Sequence, residues 1–222
     1  MANVLPLPML PTSTGERFPV RRILCIGKNY AAHVREMGGD PDRNPPIFFD
    51  KPLSAFVHSD HIHYPRATQE LHHEVELVVG LARSHTGILA PADAHTLVAG
   101  VAVGVDLTRR DLQAAAKRNG TPWDLAKGFS ESAPVGTLTL GASLPAEGSI
   151  ELSVNGKQRQ RSDLSHMIWN AAEVLAEYSK YDDLMAGDLF FTGTPAGVGP
   201  LHRNDRVVAS VQGLPTLSFQ VV

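Results

Sequence analysis

The chain has 222 residues and carries 20 Lys and Arg against 23 Asp and Glu, which gives a formal net charge of −3 at pH 7. This balance leaves no basic surplus to neutralise phosphates and argues against a nucleic-acid-binding protein. Hydrophobic residues make up 43% of the chain, which is typical of a folded protein and argues against intrinsic disorder. The 19 Gly and 16 Pro indicate many turns and favour a β-rich fold.

The beginning of the sequence and its single cysteine bear on the cellular compartment. No apolar run approaches the roughly 18 residues of a membrane span. Prolines interrupt residues 6–11, and the beginning lacks the basic residues of a signal peptide. Cys25 stands alone in an apolar run, as expected of a core residue in a reducing compartment. We therefore expect a cytoplasmic protein without a membrane partner, with an extended N-terminal arm over residues 1–19 and one domain over residues 20–222.

Short apolar or alternating runs bounded by turn residues predict strands along the whole chain. The pair Asn155-Gly156 lies between two such runs and predicts a hairpin turn. The predicted strands cover residues 22–27, 45–49, 70–81, 98–106, 150–154, 157–161, 188–192, 206–211 and 217–221.

Helical patterns are fewer than strand patterns. Asn29 is placed to cap a short helix over residues 29–37, which the glycines at 38–39 would end. Further helices are predicted over residues 108–119, and over residues 165–178, where apolar residues fall on one helical stripe. Because the helices do not alternate regularly with the strands, the pattern favours an α+β fold over a doubly wound sheet.

Three acidic residues fall on predicted strands in positions that suit a metal. Glu74 and Glu76 alternate along one strand, so their side chains share a face with Cα atoms about 7 Å apart. Asp106 ends another strand on a face that otherwise carries Ala102 and Gly104, and small neighbours would leave room for a metal and its substrate. Three carboxylates form an all-oxygen site for Mg²⁺ or Mn²⁺. The alternatives are a solvated acidic face for the glutamates and a turn role for the aspartate.

Three further features suggest chemistry. His33 and Glu36 share a helical face, and a carboxylate beside an imidazole suits a general base for water, although a surface ion pair is the alternative. Lys127 lies among apolar neighbours and would stabilise an oxyanion, unless its stem simply lies along the surface. The glycine-rich residues 192–199 lack the ending of a P-loop, and we expect their turns to bring the Thr194 hydroxyl close to a ligand.

Taken together, these segments resemble the fumarylacetoacetate hydrolase family. The resemblance extends from about residue 20 to residue 210, and it rests on the order and spacing of the whole set because each segment alone is weak. Residues 160–169 and the proline-rich beginning favour the small acylpyruvate hydrolases within the family. The matching segments are Ile26-Gly27-Lys28-Asn29-Tyr30 with His33 and Glu36, Phe48-Phe49-Asp50-Lys51-Pro52, His73-Glu74-Val75-Glu76-Leu77, Asp106-Leu107-Thr108-Arg109-Arg110-Asp111, Leu125-Ala126-Lys127, and Gly187-Asp188 with the run from Thr192 to Gly199.

The resemblance implies an α+β fold built as a mixed β-roll, the fumarylacetoacetase C-terminal-like fold, with a few short helices. It makes residues 20–222 a catalytic domain of this family and implies a homodimer with Mg²⁺ or Mn²⁺ as cofactor. The implied residues fall into three groups: the metal ligands Glu74, Glu76 and Asp106; the water-activating pair His33 and Glu36 with Lys127 near the reacting carbonyl; and the substrate-binding residues Arg110, Gln113 and Thr194.

The implied activity is metal-dependent cleavage of the carbon–carbon bond of an acylpyruvate, a 2,4-diketo acid. Fumarylpyruvate, which would give fumarate and pyruvate in the degradation of gentisate, is the expected substrate. Two alternatives stay open. The first is another reaction on the same fold, either decarboxylation of oxaloacetate or isomerisation or hydration of a dienol acid. The second is a metal-dependent binding protein without catalytic activity. One departure from the family pattern is Lys28, where Arg is usual. Lysine lacks the bidentate geometry of arginine, which bears on substrate preference more than on the chemistry.

Overall fold

The computed structural model describes residues 6–38 and 45–222. Its α-helices are α1 Ala31–Glu36, α2 Arg110–Asn119, α3 Asp124–Lys127 and α4 Ala171–Tyr178. Its strands are β1 Met9–Pro11, β2 Arg17–Pro19, β3 Arg22–Gly27, β4 Ile47–Lys51, β5 Phe56–Val57, β6 His61–Ile62, β7 Leu71–His73, β8 Val75–Leu81, β9 Val98–Val105, β10 Thr108–Arg109, β11 Ala133–Pro134, β12 Thr139–Leu140, β13 Ser149–Val154, β14 Lys157–Asp163, β15 Asp188–Phe191, β16 Gly199–Pro200, β17 Arg206–Val211 and β18 Leu217–Val221.

Two sheets form most of the structure. The larger has the strand order β12-β9-β8-β15-β3-β4, and the second has the order β14-β13-β17-β18-β6. Most neighbours are antiparallel, but β15 runs parallel to β3 and β18 runs parallel to β6, so both sheets are mixed. These mixed sheets with a few short helices confirm the α+β class. Among the described residues, no helix is long and apolar enough to span a membrane.

Strand β8 shows how the larger sheet is buried on both faces. All seven of its residues are buried, as expected of a strand covered on both sides. Leu77 and Val79 belong to the main core, which also contains residues of the second sheet. Val78 points to a second cluster with Phe191. Fully burying a side chain of this kind stabilises the fold by about 1.5–3 kcal/mol. The packing of β8 therefore fixes the positions of the residues at its ends.

The proline-rich beginning packs onto this second cluster. Strand β1 pairs antiparallel with β2, and Leu10 and Phe18 of this hairpin are both buried there. Residues 9–19 therefore contribute apolar side chains to the core. The division of the chain at residue 20 stays a prediction, and residues 1–5 of the predicted arm lie outside the described residues.

The prediction of one continuous strand over residues 70–81 was wrong. Strand β7 ends at His73 and belongs to a small sheet with β10 and β16, whereas β8 begins at Val75 in the large sheet. Glu74 lies at the break, where the chain passes from one sheet to the other. The alternation of side chains continues through the break, so the pattern could not reveal it.

The predicted helix over residues 165–178 begins later than expected. Helix α4 starts at Ala171, because Asn170 accepts a hydrogen bond from the Glu173 backbone N–H while the Glu173 side chain accepts one from the Asn170 N–H. This reciprocal capping fixes a helix start. The apolar stripe continues upstream through Met167, which is buried without being helical. The predicted helix over residues 108–119 likewise starts at Arg110.

The first predicted helix has a different cap from the one expected. Helix α1 has Tyr30 at its N-cap with no side-chain hydrogen bond. The Asn29 amide instead donates to the carbonyls of Trp169 and Thr192 at 2.8 and 2.7 Å, which ties the chain before α1 to two distant loops. Gly38 follows the helix with a φ of 75°, and Gly39, predicted to end the helix with it, lies outside the described residues.

Candidate active site

The three acidic residues lie together where β8 begins and β9 ends. In this antiparallel pair Val75 is opposite Val105, which brings Glu74, just before β8, next to Asp106, just after β9. The Asp106 N–H donates to the Glu74 carbonyl at 2.8 Å. Glu76 follows as the second residue of β8, and the ligand atoms of the three carboxylates all lie within 4.8 Å of one another. All three residues are buried.

The small residues before Asp106 do not leave room for a ligand, so that expectation was wrong. A Cβ on Gly104 would lie 2.5 Å from Val78 Cγ2 and 2.8 Å from Phe191 Cε1. Ala102 belongs to the same apolar cluster as these two side chains. The absence of bulk on this face of β9 therefore allows close packing inside the sheet.

Two cations act on Glu74. The Lys127 ammonium donates to Glu74 Oε2 at 2.9 Å, to Asp106 Oδ2 at 2.5 Å and to Thr108 Oγ1 at 2.7 Å, and the Arg110 guanidinium donates to Glu74 Oε1. Burial acts to raise the pKa of Glu74, but the charges of Lys127 and Arg110 hold that pKa well below its usual value. Burial would lower the pKa of Lys127, but Asp106 and Glu74 raise it.

Glu76 has the opposite electrostatic surroundings. Burial, together with the charges of Asp106 and Glu74, raises its pKa well above the usual value. Its closest hydrogen bond comes from the Gly193 N–H, 2.6 Å from Oε2. Gly193 has a φ of 93°, and a Cβ there would lie 2.6 Å from the Cβ of Asn29, so only glycine lets this backbone N–H reach the carboxylate.

The donor chemistry of the cluster fits a divalent cation. Three carboxylates converge in a buried place, and burying such charge is costly unless cations compensate it. The raised pKa of Glu76 indicates that Lys127 and Arg110 do not compensate all of it. An all-oxygen set without Cys or His suits a hard cation such as Mg²⁺ or Mn²⁺. Glu74, Glu76 and Asp106 are therefore the residues that could hold a divalent cation, in agreement with the predicted cofactor.

A cavity of about 250 Å³ opens over the carboxylates. Eight of the nine residues singled out from the sequence line it, and the ninth, Glu36, lies behind His33 and hydrogen-bonds to it. The structure thus brings the whole predicted set together, although its members come from five separate stretches of the chain. The predicted residues on the cavity wall are His33, Glu74, Glu76, Asp106, Arg110, Gln113, Lys127 and Thr194.

Helix α1 places His33 and Glu36 on the side of this cavity. His33 Nδ1 lies 3.2 Å from Glu36 Oε2, and only 8% of His33 is exposed. The Glu36 carboxylate is held in turn by the Gly197 N–H, at 3.0 and 3.1 Å from its two oxygens. His33 is therefore buried against the cavity, whereas Glu36 is exposed at the surface and orients the ring from there. The alternative of an ion pair lying wholly on the surface does not hold for His33.

The remaining predicted residues carry hydrogen-bonding groups on the cavity wall. Gln113 is buried, and its Oε1 accepts from Arg110 at 2.5 Å. Thr194 is buried as well, and its hydroxyl oxygen accepts from Gln160 at 2.8 Å. Lys127 is only 3% exposed, so the alternative of a surface lysine is wrong.

Sequence reasoning assigned no role to Lys51, although it belongs to one of the matching segments. Its ammonium lies 2.8 Å from Asp106 Oδ1, with no exposure of the side chain. It also donates to the Leu107 carbonyl at 3.2 Å and to the Ser132 hydroxyl at 3.0 Å. Lys51 therefore forms an ion pair with one oxygen of the Asp106 carboxylate while Lys127 contacts the other. A lysine at the end of the apolar run Ile47–Lys51 was the signal available in the sequence.

The family is decided by comparison with known proteins. A family model described as fumarylacetoacetate (FAA) hydrolase C-terminal matches residues 22–222. This chain belongs to the fumarylacetoacetate hydrolase family. The resemblance drawn from the sequence segments is thereby confirmed, and the shared fold accounts for the sheets described above.

Relatives within the family have two kinds of described activity. A structure of fumarylpyruvate hydrolase from Pseudomonas aeruginosa, in complex with Mn²⁺ and pyruvate, has a TM-score of 0.96 and 41% identity, covering 100% of this chain and 99% of that one. Human mitochondrial oxaloacetate tautomerase FAHD1 is 38% identical over 90% of this chain and 91% of its own length. Oxaloacetate tautomerase YcgM of Escherichia coli K12 is 36% identical over 88% and 90%. The chain is thus similar to a hydrolase and to tautomerases of one family.

Proposed function

We propose that this protein is an acylpyruvate hydrolase that cleaves the carbon–carbon bond of a 2,4-diketo acid, with fumarylpyruvate as the substrate. The observation that carries the proposal is the His33–Glu36 dyad lining the same cavity as the three-carboxylate metal site. A metal-binding protein without catalysis has no need of an oriented base, so this arrangement supports an enzyme. The fumarylpyruvate hydrolase of Pseudomonas aeruginosa, which covers the whole chain, supports the choice of substrate.

His33 is assigned as the general base. Glu36 is a carboxylate and accepts hydrogen bonds, so His33 Nδ1 carries the proton in the contact between them. The other ring nitrogen, Nε2, then keeps its lone pair and can take a proton from a water molecule in the cavity. General-base catalysis of this kind contributes about 10²–10⁴-fold to a rate. The carboxylate of Glu36 also stabilises the imidazolium that results.

Donor groups on the cavity wall complete the assignment. Lys127 offers a charged donor for the oxygen that becomes negative when water adds to the distal carbonyl, and Thr194 offers a neutral donor for an oxygen of the keto-acid end. Arg110 and Gln113, which are linked to each other, bind the carboxylate end of the substrate. A divalent cation bound at Glu74, Glu76 and Asp106 would supply positive charge close to the keto-acid oxygens.

The cleavage consumes only the substrate and one water molecule. His33 takes one proton from water, and the hydroxide oxygen forms a bond to the distal carbonyl carbon. Collapse of that adduct breaks the carbon–carbon bond, and the electron pair leaves with the pyruvate fragment as its enolate. Protonation of the enolate by the imidazolium of His33 returns the base. The products are pyruvate and a carboxylic acid, which is fumarate when the substrate is fumarylpyruvate.

A second candidate is oxaloacetate tautomerisation. The names of the human and Escherichia coli relatives favour it. Tautomerisation moves one proton between carbon and oxygen and consumes no water, so the dyad would serve as a proton carrier. The two candidates therefore differ in whether oxygen from water enters the product.

The proposal is tested with purified protein in Mn²⁺ or Mg²⁺, with fumarylpyruvate and oxaloacetate supplied separately. Hydrolysis is expected to remove the ultraviolet absorbance of enolic fumarylpyruvate, to release pyruvate and fumarate in equal amounts, and to stop with a chelator. In water enriched in ¹⁸O, one labelled oxygen should enter fumarate. His33→Ala should lower kcat by about 100-fold or more. Conversion of the oxaloacetate enol without cleavage of fumarylpyruvate would instead establish the tautomerase and refute the hydrolase.

Two expectations stay predictions and belong to this proposal, the homodimer implied by the resemblance and the location expected from the sequence. We propose a homodimer, which sedimentation equilibrium would detect as twice the 23.9 kDa mass of the chain. We also propose a cytoplasmic location, where metabolites such as diketo acids are available. A monomer at micromolar concentration that is fully active would contradict the first proposal and leave the chemistry unaffected.

A further inference from the structure

Gln160 makes four hydrogen bonds at a place that joins the metal-site strands to the glycine-rich loop. It lies in β14 and has no exposed surface. Its Oε1 accepts from the Val75 N–H at 3.1 Å and lies 2.9 Å from His73 Nδ1. Its Nε2 lies 2.8 Å from Thr194 Oγ1 and 2.9 Å from the Pro195 carbonyl. A primary amide can form no more than about four such bonds, so its hydrogen-bonding capacity is used completely.

The backbone fixes which way this amide points. The Val75 N–H can only donate, so the atom facing it is the oxygen of Gln160. The Pro195 carbonyl can only accept, so the atom facing it is the nitrogen. One orientation of the amide satisfies both contacts, and the reverse orientation would bring two acceptors together at one end and two donors together at the other. His73 Nδ1 therefore also donates to the Gln160 oxygen.

This orientation sets the role of the Thr194 hydroxyl. Because Gln160 Nε2 has only hydrogens to offer, Thr194 Oγ1 is the acceptor in the contact between them. The hydroxyl proton of Thr194 is then left to point elsewhere, and Thr194 lines the cavity. A threonine held in this way is a donor toward a bound oxygen.

Thr194 depends on this contact more than the metal ligands do. Strand β8, with Glu76, is held by the ladders it forms with β9 and β15. Thr194 lies outside the strands, between Gly193 and Pro195, and its hydroxyl is anchored to the sheet through Gln160. Loss of the amide would therefore affect Thr194 before it affects the carboxylates.

We propose that Gln160 is a positioning residue that holds the Thr194 hydroxyl as a hydrogen-bond donor to the substrate. This inference rests on the proposed function, because it assigns Thr194 to a keto-acid oxygen. Gln160 is not among the residues that line the cavity, so its influence on the substrate is expected to pass through Thr194, while its bonds to His73, Val75 and Pro195 hold the amide in place.

The first variants are Gln160→Met and Thr194→Val, alone and together. Each single change is expected to lower kcat/KM about tenfold, the size of one lost hydrogen bond, and to weaken pyruvate binding to the Mn²⁺-loaded protein by a similar factor in calorimetry. The kcat/KM of the double variant should lie no more than about twofold below that of the less active single variant, because both changes remove the same interaction. The Kd for Mn²⁺ should stay within about threefold of wild type. The matched control is Gln158→Met, the same change at an exposed position in the same strand, and it should match wild type throughout.

Gln160→Glu keeps the size of the side chain and tests the direction of the hydrogen bond. Its carboxylate can still accept from Val75, but it would accept from the Thr194 hydroxyl as well and turn that proton away from the cavity. Pyruvate binding and kcat/KM are therefore expected to fall at least as far as in Gln160→Met. Because this variant conserves shape, it decides the matter if the methionine variant does not fold.

Three outcomes would overturn the inference. The first is an affinity for pyruvate equal to that of wild type in both Gln160→Met and Gln160→Glu. The second is a kcat/KM of the double variant that falls by the product of the two single losses. The third is a loss of Mn²⁺ affinity as large as the loss of pyruvate affinity. The last two would make Gln160 a purely structural residue. If the wild-type protein itself neither binds pyruvate nor converts either keto acid, the proposed function fails and this inference fails with it. The two failures are thus told apart by the wild-type measurement alone.

Discussion

Glu74 and Glu76 stand two positions apart in one cluster, yet their charges are compensated differently. Lys127 and Arg110 keep the pKa of Glu74 low, whereas burial, Asp106 and Glu74 raise that of Glu76. With metal removed by a chelator at pH 8, we expect Glu76→Gln to raise the free energy of unfolding, because folding must either bury the Glu76 charge or take up a proton, and the amide requires neither. Glu74→Gln should lower it by about 3 kcal/mol, because it takes an anion away from two cations. Urea denaturation measures both values.

The pH dependence of unfolding gives the same contrast. A carboxyl group with a raised pKa stays protonated in the folded chain but ionises in the unfolded chain above its usual value of 4.5, so its contribution to stability falls as pH rises. Glu76→Gln should remove that part of the decline. The pKa of Glu74 is shifted downward, so the stability that Glu74 contributes is lost as pH falls below the usual pKa of a glutamate. Glu74→Gln should remove this loss of stability at low pH. Two variants that change stability in the same direction would contradict this account.

The residues that sequence reasoning found and missed differ in how they are recognised. Glu74, Glu76 and Lys127 are charged side chains in apolar surroundings, and that conflict is visible in the sequence. Lys51 pairs with Asp106, 55 positions away, and Gln160 reaches Val75, 85 positions away. The position of Lys51 at the end of an apolar run marked it as unusual but did not show its partner. Gln160 carried no such mark, and in both cases only the fold brings the partners together.

Helix α1 is too short to be stable by itself. It has six residues and no side-chain cap, and isolated helices shorter than about 12 residues are marginal in water. The contact between Glu36 and the Gly197 N–H therefore holds both the helix and the dyad in place. We expect Glu36→Ala to speed hydrogen exchange of the Val34 and Met37 amides about fivefold and to lower kcat about 100-fold, measured by exchange mass spectrometry and by turnover.

The control for this helix is Glu177→Ala in α4, which removes an ion pair of 2.6 Å with Lys180, two residues beyond the end of that helix. It deletes the same type of side chain from another helix, and α1 should exchange as in wild type. If Glu36→Ala leaves exchange of α1 unchanged but lowers kcat, the carboxylate acts on His33 alone. If exchange rises and kcat stays normal, the assignment of the dyad is wrong.

The strands were more predictable than the points at which they end. Alternation identified β8, β9 and β13, because apolar side chains must share a face for the sheets to pack. Strand β14 has no apolar residue, and it was predicted from the hairpin turn at Asn155-Gly156. The switch of sheets at Glu74 and the late start of α4 followed from hydrogen bonds that periodicity does not measure. The Asn170 and Glu173 pair was legible in the sequence as a capping box, whereas the Asn29 contacts with Trp169 and Thr192 required the folded chain.

The metal site connects parts of the chain that are far apart in sequence. Its three carboxylates lie at the adjoining ends of the neighbouring strands β8 and β9. Gly193, from the loop after β15, donates to Glu76, and Lys51 from β4 pairs with Asp106. None of these contacts survives unfolding, so the unfolded chain binds a divalent cation far more weakly than the folded one. Binding must therefore stabilise the whole molecule by linkage.

Mn²⁺ at about 100 times its Kd should raise the free energy of unfolding by about 2.7 kcal/mol. For a chain of this length that corresponds to a rise in Tm of about 5–10 °C, seen by calorimetry and reversed by a chelator. Asp106→Asn should abolish the rise, because it removes one of three anionic ligands. Asp60→Asn, at a side chain that is 85% exposed, should keep it. A rise that persists in Asp106→Asn would mean that the cation binds elsewhere, since no stabilisation through this cluster is expected once its charge and geometry are broken.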